Sequence, residues 1–205
     1  MSEPSQEISL ALKQEHAEKQ ALFRKRLAEF KALPESSRYQ EFMFCLLTPQ
    51  SNAKKCWQAV EQLSQLNNPT EEQVREILKT KTRFHNTKAK RIIKAKETWK
   101  EIQELLKQDL PAIELRDKVE TLVNGYGLKE SAHFLRNIGK SNNSIAILDR
   151  HILKYIAGDK KAKLKSKSHY KSVEQDFLAY ANSLNIPADE LDLLLWSREN
   201  GDIFK

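Results

Sequence analysis

The sequence predicts an all-α protein, and three observations carry that prediction. Only 5 glycines and 6 prolines interrupt the 205 residues. Between those breaks, apolar residues recur at the three- and four-residue spacing of a helix face. A G-Y-G turn at Gly125–Gly127 separates two such runs, which makes a helix–hairpin–helix. The length suffices for one large domain or two small helical lobes with a real core. The expected architecture is two helical lobes with the hairpin motif and a cleft between them, residues 1–205 forming one unit with its hairpin at about 114–139.

Taken in order, Ser5 to Leu33 reads as one long helix, with Ile8, Leu12, Phe23, Leu27 and Phe30 on its apolar face. Pro34 ends it, because the residue before a proline is pushed out of the helical region. Ser36 or Ser37 is placed to cap the next helix, Tyr39 to Leu47. Its F-M-F-C-L-L run is apolar on nearly all sides, which marks the buried centre of a lobe. Pro49 breaks that helix, and Ser51 or Asn52 caps the following one, which carries Trp57, Val60 and Leu63. Gln50 projects from the tight turn between them; an exposed polar turn residue is the plainest reading of it.

Pro69-Thr70-Glu71-Glu72 is a helix start with acidic residues where the helix dipole favours them, and that helix ends around Leu78. Lys79 to Lys96 then holds Lys79, Lys81, Arg83, Lys88, Lys90, Arg91, Lys94 and Lys96 with no acidic residue among them. Such a run is usually a solvated face. Here Phe84, His85 and Asn86 sit at a loop–helix junction where an aromatic would be exposed. Charge for phosphates beside a flat ring for a base is what nucleic-acid contact requires. The helix continues through Ile92, Trp99, Ile102 and Leu106, and Pro111 starts another, Ala112 to Val123. Beyond the hairpin, Gly158 to Ser168 is a lysine-rich linker expected to lie on the surface. Tyr170 to Leu184 forms a helix, and Pro187 starts a final one. Its L-D-L-L-L-W run gives way to a polar tail, Ser197 to Lys205.

The net charge of +7 points to a polyanionic partner, nucleic acid before membrane. The 2 cysteines, Cys45 and Cys56, sit in helical, apolar settings and read as reduced core residues. They cannot supply the thiolates of an iron–sulfur cluster. No apolar run approaches the roughly 18 residues of a membrane helix, and the polar, acidic N-terminus is unlike a signal peptide. An intracellular, cytoplasmic and nucleoid-associated protein is expected. No dinucleotide-binding glycine signature, phosphate-binding P-loop or zinc spacing is present.

The chemistry concentrates between Val123 and Ile152. The hairpin glycines allow tight backbone turns and let main-chain N–H groups approach a phosphate, with the next helix's N-terminus adding its dipole. Asn124, Gly125 and Gly127 are the candidate phosphate-binding positions. A G-x-G turn alone is a common interhelical connection. Lys129 sharpens it: a cation is unfavourable at a helix N-terminus, so its surroundings would favour the neutral amine. A neutral amine can attack an electrophilic carbon and form a Schiff base. Asp149, in A-I-L-D-R-H-I, could stabilise positive charge on a sugar and shuttle a proton, and could cap a helix at the same time.

At these residues the chain resembles the helix–hairpin–helix DNA glycosylases. G-Y-G-L-K-E-S-A-H-F-L-R-N-I-G with A-I-L-D-R-H-I-L looks like the type 2 8-oxoguanine DNA glycosylase/AP lyases. The resemblance extends over F-C-L-L-T-P-Q-S-N-A, R-F-H-N-T-K-A-K-R-I and a C-terminus of the form L-W then I-F-K. One departure is Ser131, where the superfamily pattern G-x-G-x-K-x-A has alanine; serine is small enough for the same close packing.

The resemblance implies that Lys129 is the nucleophile toward C1′ of the damaged nucleotide and that Asp149 stabilises the developing oxocarbenium ion. It implies that Phe84 and Trp196 sandwich a flipped purine, with Lys205 near the base and Gln50 as a wedge or gap filler. It implies no required cofactor, with a structural monovalent cation possible at the hairpin carbonyls and no other metal. The implied partner is double-stranded DNA containing 8-oxoguanine, met by a monomer with no membrane involved. Two other readings stay open: the same fold acting on an oxidised pyrimidine or a mismatch, and a non-enzymatic DNA-binding protein that uses the hairpin only for phosphate contact.

Overall fold

The structure, a computed structural model, describes residues 6–157, 163–201 and 203–205. Among the described residues it is all helical, without a strand. The helices are α1 (Gln6–Lys31), α2 (Arg38–Leu47), α3 (Ala53–Ser64), α4 (Glu71–Lys79), α5 (His85–Leu106), α6 (Ala112–Leu122), α7 (Leu128–Asn137), α8 (Arg150–Ala157), α9 (Lys167–Leu184) and α10 (Ala188–Asn200). The chain divides into two compact units, 33–134 and 1–32 with 135–205, so the division falls inside α7.

In the first unit α2 is the buried centre that its composition predicts, with every residue from Phe42 to Leu47 buried. Around Phe42 lies an aromatic cluster, with ring centroids at 5.2 Å for Trp99, 5.3 Å for Tyr126 and 5.6 Å for Phe134. Cys45 and Cys56 are buried in the same core and are not joined in a disulfide. Helix starts follow local chemistry. Asn52 caps α3 by accepting the Lys55 N–H at 3.0 Å, and Thr70 with Gln73 forms a reciprocal capping box on α4. Ser37 precedes α2 but makes no side-chain cap, because a 3-10 turn at Glu35–Ser37 leads directly into the helix.

In the second unit α1 packs along α10, and buried His16 meets buried Glu190 at 2.6 Å. The polar tail expected from Ser197 is instead the last turn of α10, which ends at Gly201 in the left-handed region (φ +77°). Ion pairs hold that turn: Arg198 Nε with Glu15 at 2.8 Å, and Glu199 with Lys154 Nζ at 2.6 Å. The helix expected from Tyr170 starts earlier, at Lys167, because Ser166 Oγ accepts the His169 N–H at 3.1 Å. Of the expected lysine-rich linker, 158–162 lie outside the described residues.

Gly139 closes α7. Its φ is +70°, its N–H donates to the Arg136 carbonyl at 3.0 Å, and the Lys140 N–H reaches back to Leu135 at 2.8 Å. This is the glycine C-cap pattern that satisfies the last carbonyls of a helix. A Cβ here would lie 2.5 Å from Lys31 Cα. Gly139→Ala is therefore expected to cost about 1–3 kcal/mol of folding stability, read as a lower urea midpoint.

Candidate active site

The hairpin is α6, the turn 123–127 and α7. Tyr126, between the two glycines, is buried, and its hydroxyl donates to the Phe42 carbonyl at 2.7 Å. The turn is thereby fastened to the core helix α2, while Asn124 stays exposed and Gly125 and Gly127 are half-buried. Gly125 has φ +105°, and a Cβ there would lie 2.5 Å from Arg91 Cδ. The glycine thus supplies both the turn conformation and the room for an α5 guanidinium to lie against the hairpin.

Lys129 occupies the first turn of α7, half-buried, with Nζ 2.8 Å from Glu130 Oε1. The other oxygen of Glu130 accepts the Gly127 N–H at 3.1 Å, half of a capping box with glycine at the cap position. The unfavourable cation at a helix N-terminus is thus offset by its sequence neighbour. The Gly127 N–H is therefore already held by that carboxylate.

Gln50 and Phe84 stand on neighbouring loops of the same unit. Both are exposed, Phe84 by 55%, and both have left-handed backbones, φ +54° and +57°. The Arg83 guanidinium lies over the Phe84 ring, 5.4 Å from its centroid. Lys88, one turn into α5, corrects the reading of the basic run as a surface stripe. It is only 2% exposed. Its ammonium donates to the Leu47 carbonyl at 2.7 Å, the Pro49 carbonyl at 2.9 Å and Ser51 Oγ at 2.8 Å. Burial pulls its pKa down to about 8, a fall that Cys56 opposes and that the positive charges of Arg91, Lys129 and Arg83 reinforce. The remaining cations of the run are exposed or half-buried.

Asp149 is the N-cap of α8. Its Oδ1 accepts the His151 N–H at 2.8 Å and the Ile152 N–H at 2.9 Å. Among the described residues its Oδ2 has no hydrogen-bond partner. The loop that delivers it is tied down along its length. Ser141 Oγ donates to Asp189 at 2.7 Å, the Ala146 N–H donates to Glu174 at 2.9 Å, and the Tyr170 hydroxyl donates to the Ala146 carbonyl.

On α10, Asp192 is buried with its Oδ2 3.6 Å from Arg136 Nη2. Burial pushes its carboxyl up to about 7, Arg136 opposes the rise, and Asp149 and Asp189 add to it. The folded chain therefore keeps this proton over a range in which the unfolded chain, near the ordinary 3.8, has released it. Stability from this group is full below that ordinary value and is lost as pH rises through about 7. Asp192→Asn is expected to shrink the difference between urea midpoints measured at about pH 5 and about pH 8.

Trp196 is half-buried on α10, and Lys205 is half-buried in the segment beyond that helix. Arg26 of α1 holds this segment by donating to the Ile203 carbonyl at 3.3 Å. Sequence reasoning did not single out Glu130 or Arg91 as parts of the site. The Gly-x-x-Glu spacing of a cap could have found Glu130; Arg91 is one cation of the basic run, and nothing local sets it apart. No helix is long and apolar enough to cross a membrane among the described residues. Nor do those residues contain a cluster of His, Cys, Asp and Glu able to hold a metal ion.

Comparison with known proteins shows the family and the fold. The helix–hairpin–helix family described as 8-oxoguanine DNA glycosylase matches residues 23–186. An 8-oxoguanine DNA glycosylase/AP lyase of Fusobacterium nucleatum is 37% identical, with 89% of this chain and 91% of the relative covered. The enzyme of the same name from Saccharolobus solfataricus is also 37% identical, over 82% of this chain and 84% of its own. The crystal structure of the 8-oxoguanine DNA glycosylase of Thermotoga maritima superposes with a TM-score of 0.84 at 27% identity, covering 97% of this chain and 99% of that one. A family match from Phe23 through the hairpin to Ile186, with relatives covered nearly end to end, means that this chain belongs to the helix–hairpin–helix 8-oxoguanine DNA glycosylase family.

Proposed function

We propose that this chain is a base-excision repair enzyme, a bifunctional DNA N-glycosylase and AP lyase that removes 8-oxoguanine from double-stranded DNA. The observation that carries the reading is a half-buried lysine amine at the start of the hairpin's second helix, in a chain of this family. Backbone N–H groups around Asn124 and Gly125, with Arg91 beside them, suit a DNA phosphate and read no base; the Gly127 N–H joins them only by leaving Glu130. The damaged nucleotide leaves the stack, and its base is held by Phe84 and Trp196, with Lys205 near the base and Gln50 filling the gap.

Lys129 Nζ then bonds to C1′ while the C1′–N9 bond breaks and the base leaves with its electron pair. The Asp149 carboxylate balances the positive charge that develops on the sugar. Opening of the sugar ring gives an iminium. Loss of a C2′ proton then expels the 3′ phosphate by β-elimination and cuts the strand. Nothing in this sequence of steps requires a cofactor; a structural monovalent cation would sit on hairpin carbonyl oxygens. The enzyme acts as a monomer on intracellular, nucleoid DNA.

Borohydride reduction during incubation with an 8-oxoguanine duplex is the test. The iminium reading requires a covalent protein–DNA product that appears in parallel with strand cutting. Neither product with this duplex, but both with an oxidised pyrimidine or a mismatch, would move the enzyme to another lesion. Tight binding without cutting at any lesion would leave only a DNA-binding protein.

A further inference from the structure

Gln50 and Phe84, both exposed on the first unit, carry left-handed backbones that residues other than glycine and asparagine rarely adopt. Such a backbone is strained and persists only where its surroundings over-determine it. The surroundings here are one hub. Lys88 spends its three protons on the Leu47 and Pro49 carbonyls and on Ser51 Oγ, so it grips the chain on both sides of Gln50. Ser51 Oγ also accepts the Arg83 N–H at 3.0 Å, which ties in the residue before Phe84. The Lys88 N–H closes the first turn of α5 on the Phe84 carbonyl at 3.0 Å. Cys56 Sγ shares the Leu47 carbonyl at 3.2 Å. The Leu47 carbonyl belongs to the last turn of α2, where no intrahelical donor exists, so a cation there is favoured.

We propose that Lys88 and Ser51 are positioning residues that lock Gln50 and Phe84 into one lesion-probing arrangement. They govern how the damaged base is extracted and held, and not how the bond to the sugar is broken. The inference rests on the proposed function, since it assigns Gln50 and Phe84 to the DNA lesion. A buried ammonium is a costly choice for fold stability alone, because burial disfavours its charge. The cost is understandable if three acceptors on one loop must be gathered at one point, which an apolar side chain cannot do.

The test compares two duplexes: one with 8-oxoguanine, which must be flipped and gripped, and one with a preformed abasic site, which has no base to grip. Ser51→Ala keeps the Lys88 charge and removes the shared acceptor. We expect its kcat/KM on the 8-oxoguanine duplex to fall about tenfold, mainly through KM, as loss of one charge-assisted hydrogen bond implies. Cutting and borohydride trapping at the abasic site should stay within about twofold of the parent. Ser51→Thr, which restores the hydroxyl, should recover the loss. Lys88→Met should reduce the lesion-dependent step further, and 2-aminopurine placed beside the lesion should report weaker base extraction in both variants. Equal losses on the two duplexes would make the hub merely structural and overturn the proposal; so would an unchanged 8-oxoguanine rate in Ser51→Ala. Failure of the parent protein on 8-oxoguanine would instead overturn the proposed function.

Discussion

Lys129→Gln is expected to abolish both the borohydride-trapped adduct and strand cutting, with a loss of at least about 10⁴-fold in the excision rate. Glutamine retains most of the length of lysine. Its amide can still donate to Glu130 Oε1, the partner that Lys129 Nζ holds at 2.8 Å. The hairpin should therefore keep its shape, and the Gly127 N–H its bond to the same carboxylate. What disappears is an amine lone pair able to bond to C1′, and an amide nitrogen cannot replace it. The variant should still bind an 8-oxoguanine duplex, because the proposed phosphate contact lies in the turn, which the substitution leaves unchanged. Gel analysis after borohydride treatment separates the outcomes: an undiminished adduct would remove Lys129 from its role and point to another amine.

Asp149→Asn is expected to lower single-turnover excision by about 10²–10⁴-fold while leaving folding stability nearly unchanged. Asn and Asp cap helices about equally well, so the variant can keep both bonds that Oδ1 makes, to the His151 and Ile152 N–H groups. The charge on the second oxygen is the only large change. The pair of measurements, rate and urea midpoint, distinguishes a capping residue from one that also meets the sugar. A wild-type rate in Asp149→Asn would leave Asp149 as a helix cap alone. Asp149→Ala, which removes the cap too, should lose about 1 kcal/mol of stability in addition to the rate.

Much of the fold was legible because helix signals are local. Pro34, Pro111 and Pro187, the Thr70 capping box and the cap at Asn52 act on groups within four residues, and the helices begin or end where these residues allow. The G-Y-G turn and Gly139 were legible for the same reason. The C-terminal helix was cut short in the reading because Ser197 to Asn200 has no apolar periodicity of its own. Its helical state is held by Glu15 and Lys154, which lie far away along the chain.

The residue types of the candidate chemistry were also readable: an amine two positions past the second glycine of the turn, a carboxylate at a helix start and an aromatic within a basic stretch. Their settings were not. In the sequence Lys88 is one of several cations in a run, and only the packing of α5 against the end of α2 makes it a buried clamp. Tyr126 reads as a spacer between glycines until its hydroxyl is seen on Phe42, 84 positions away. Arg91 lies against Gly125, and the loop before Asp149 is secured by Tyr170, Glu174 and Asp189. The sequence by itself determined the all-helical class, most helix ends and the hairpin with its lysine, since hydrogen bonding and steric limits within a few residues settle those. Only the tertiary structure decided which charges are buried, what secures the loop before Asp149 and what holds Gln50 and Phe84 in place. Those depend on residues brought together from distant parts of the chain, and no local pattern encodes such a meeting.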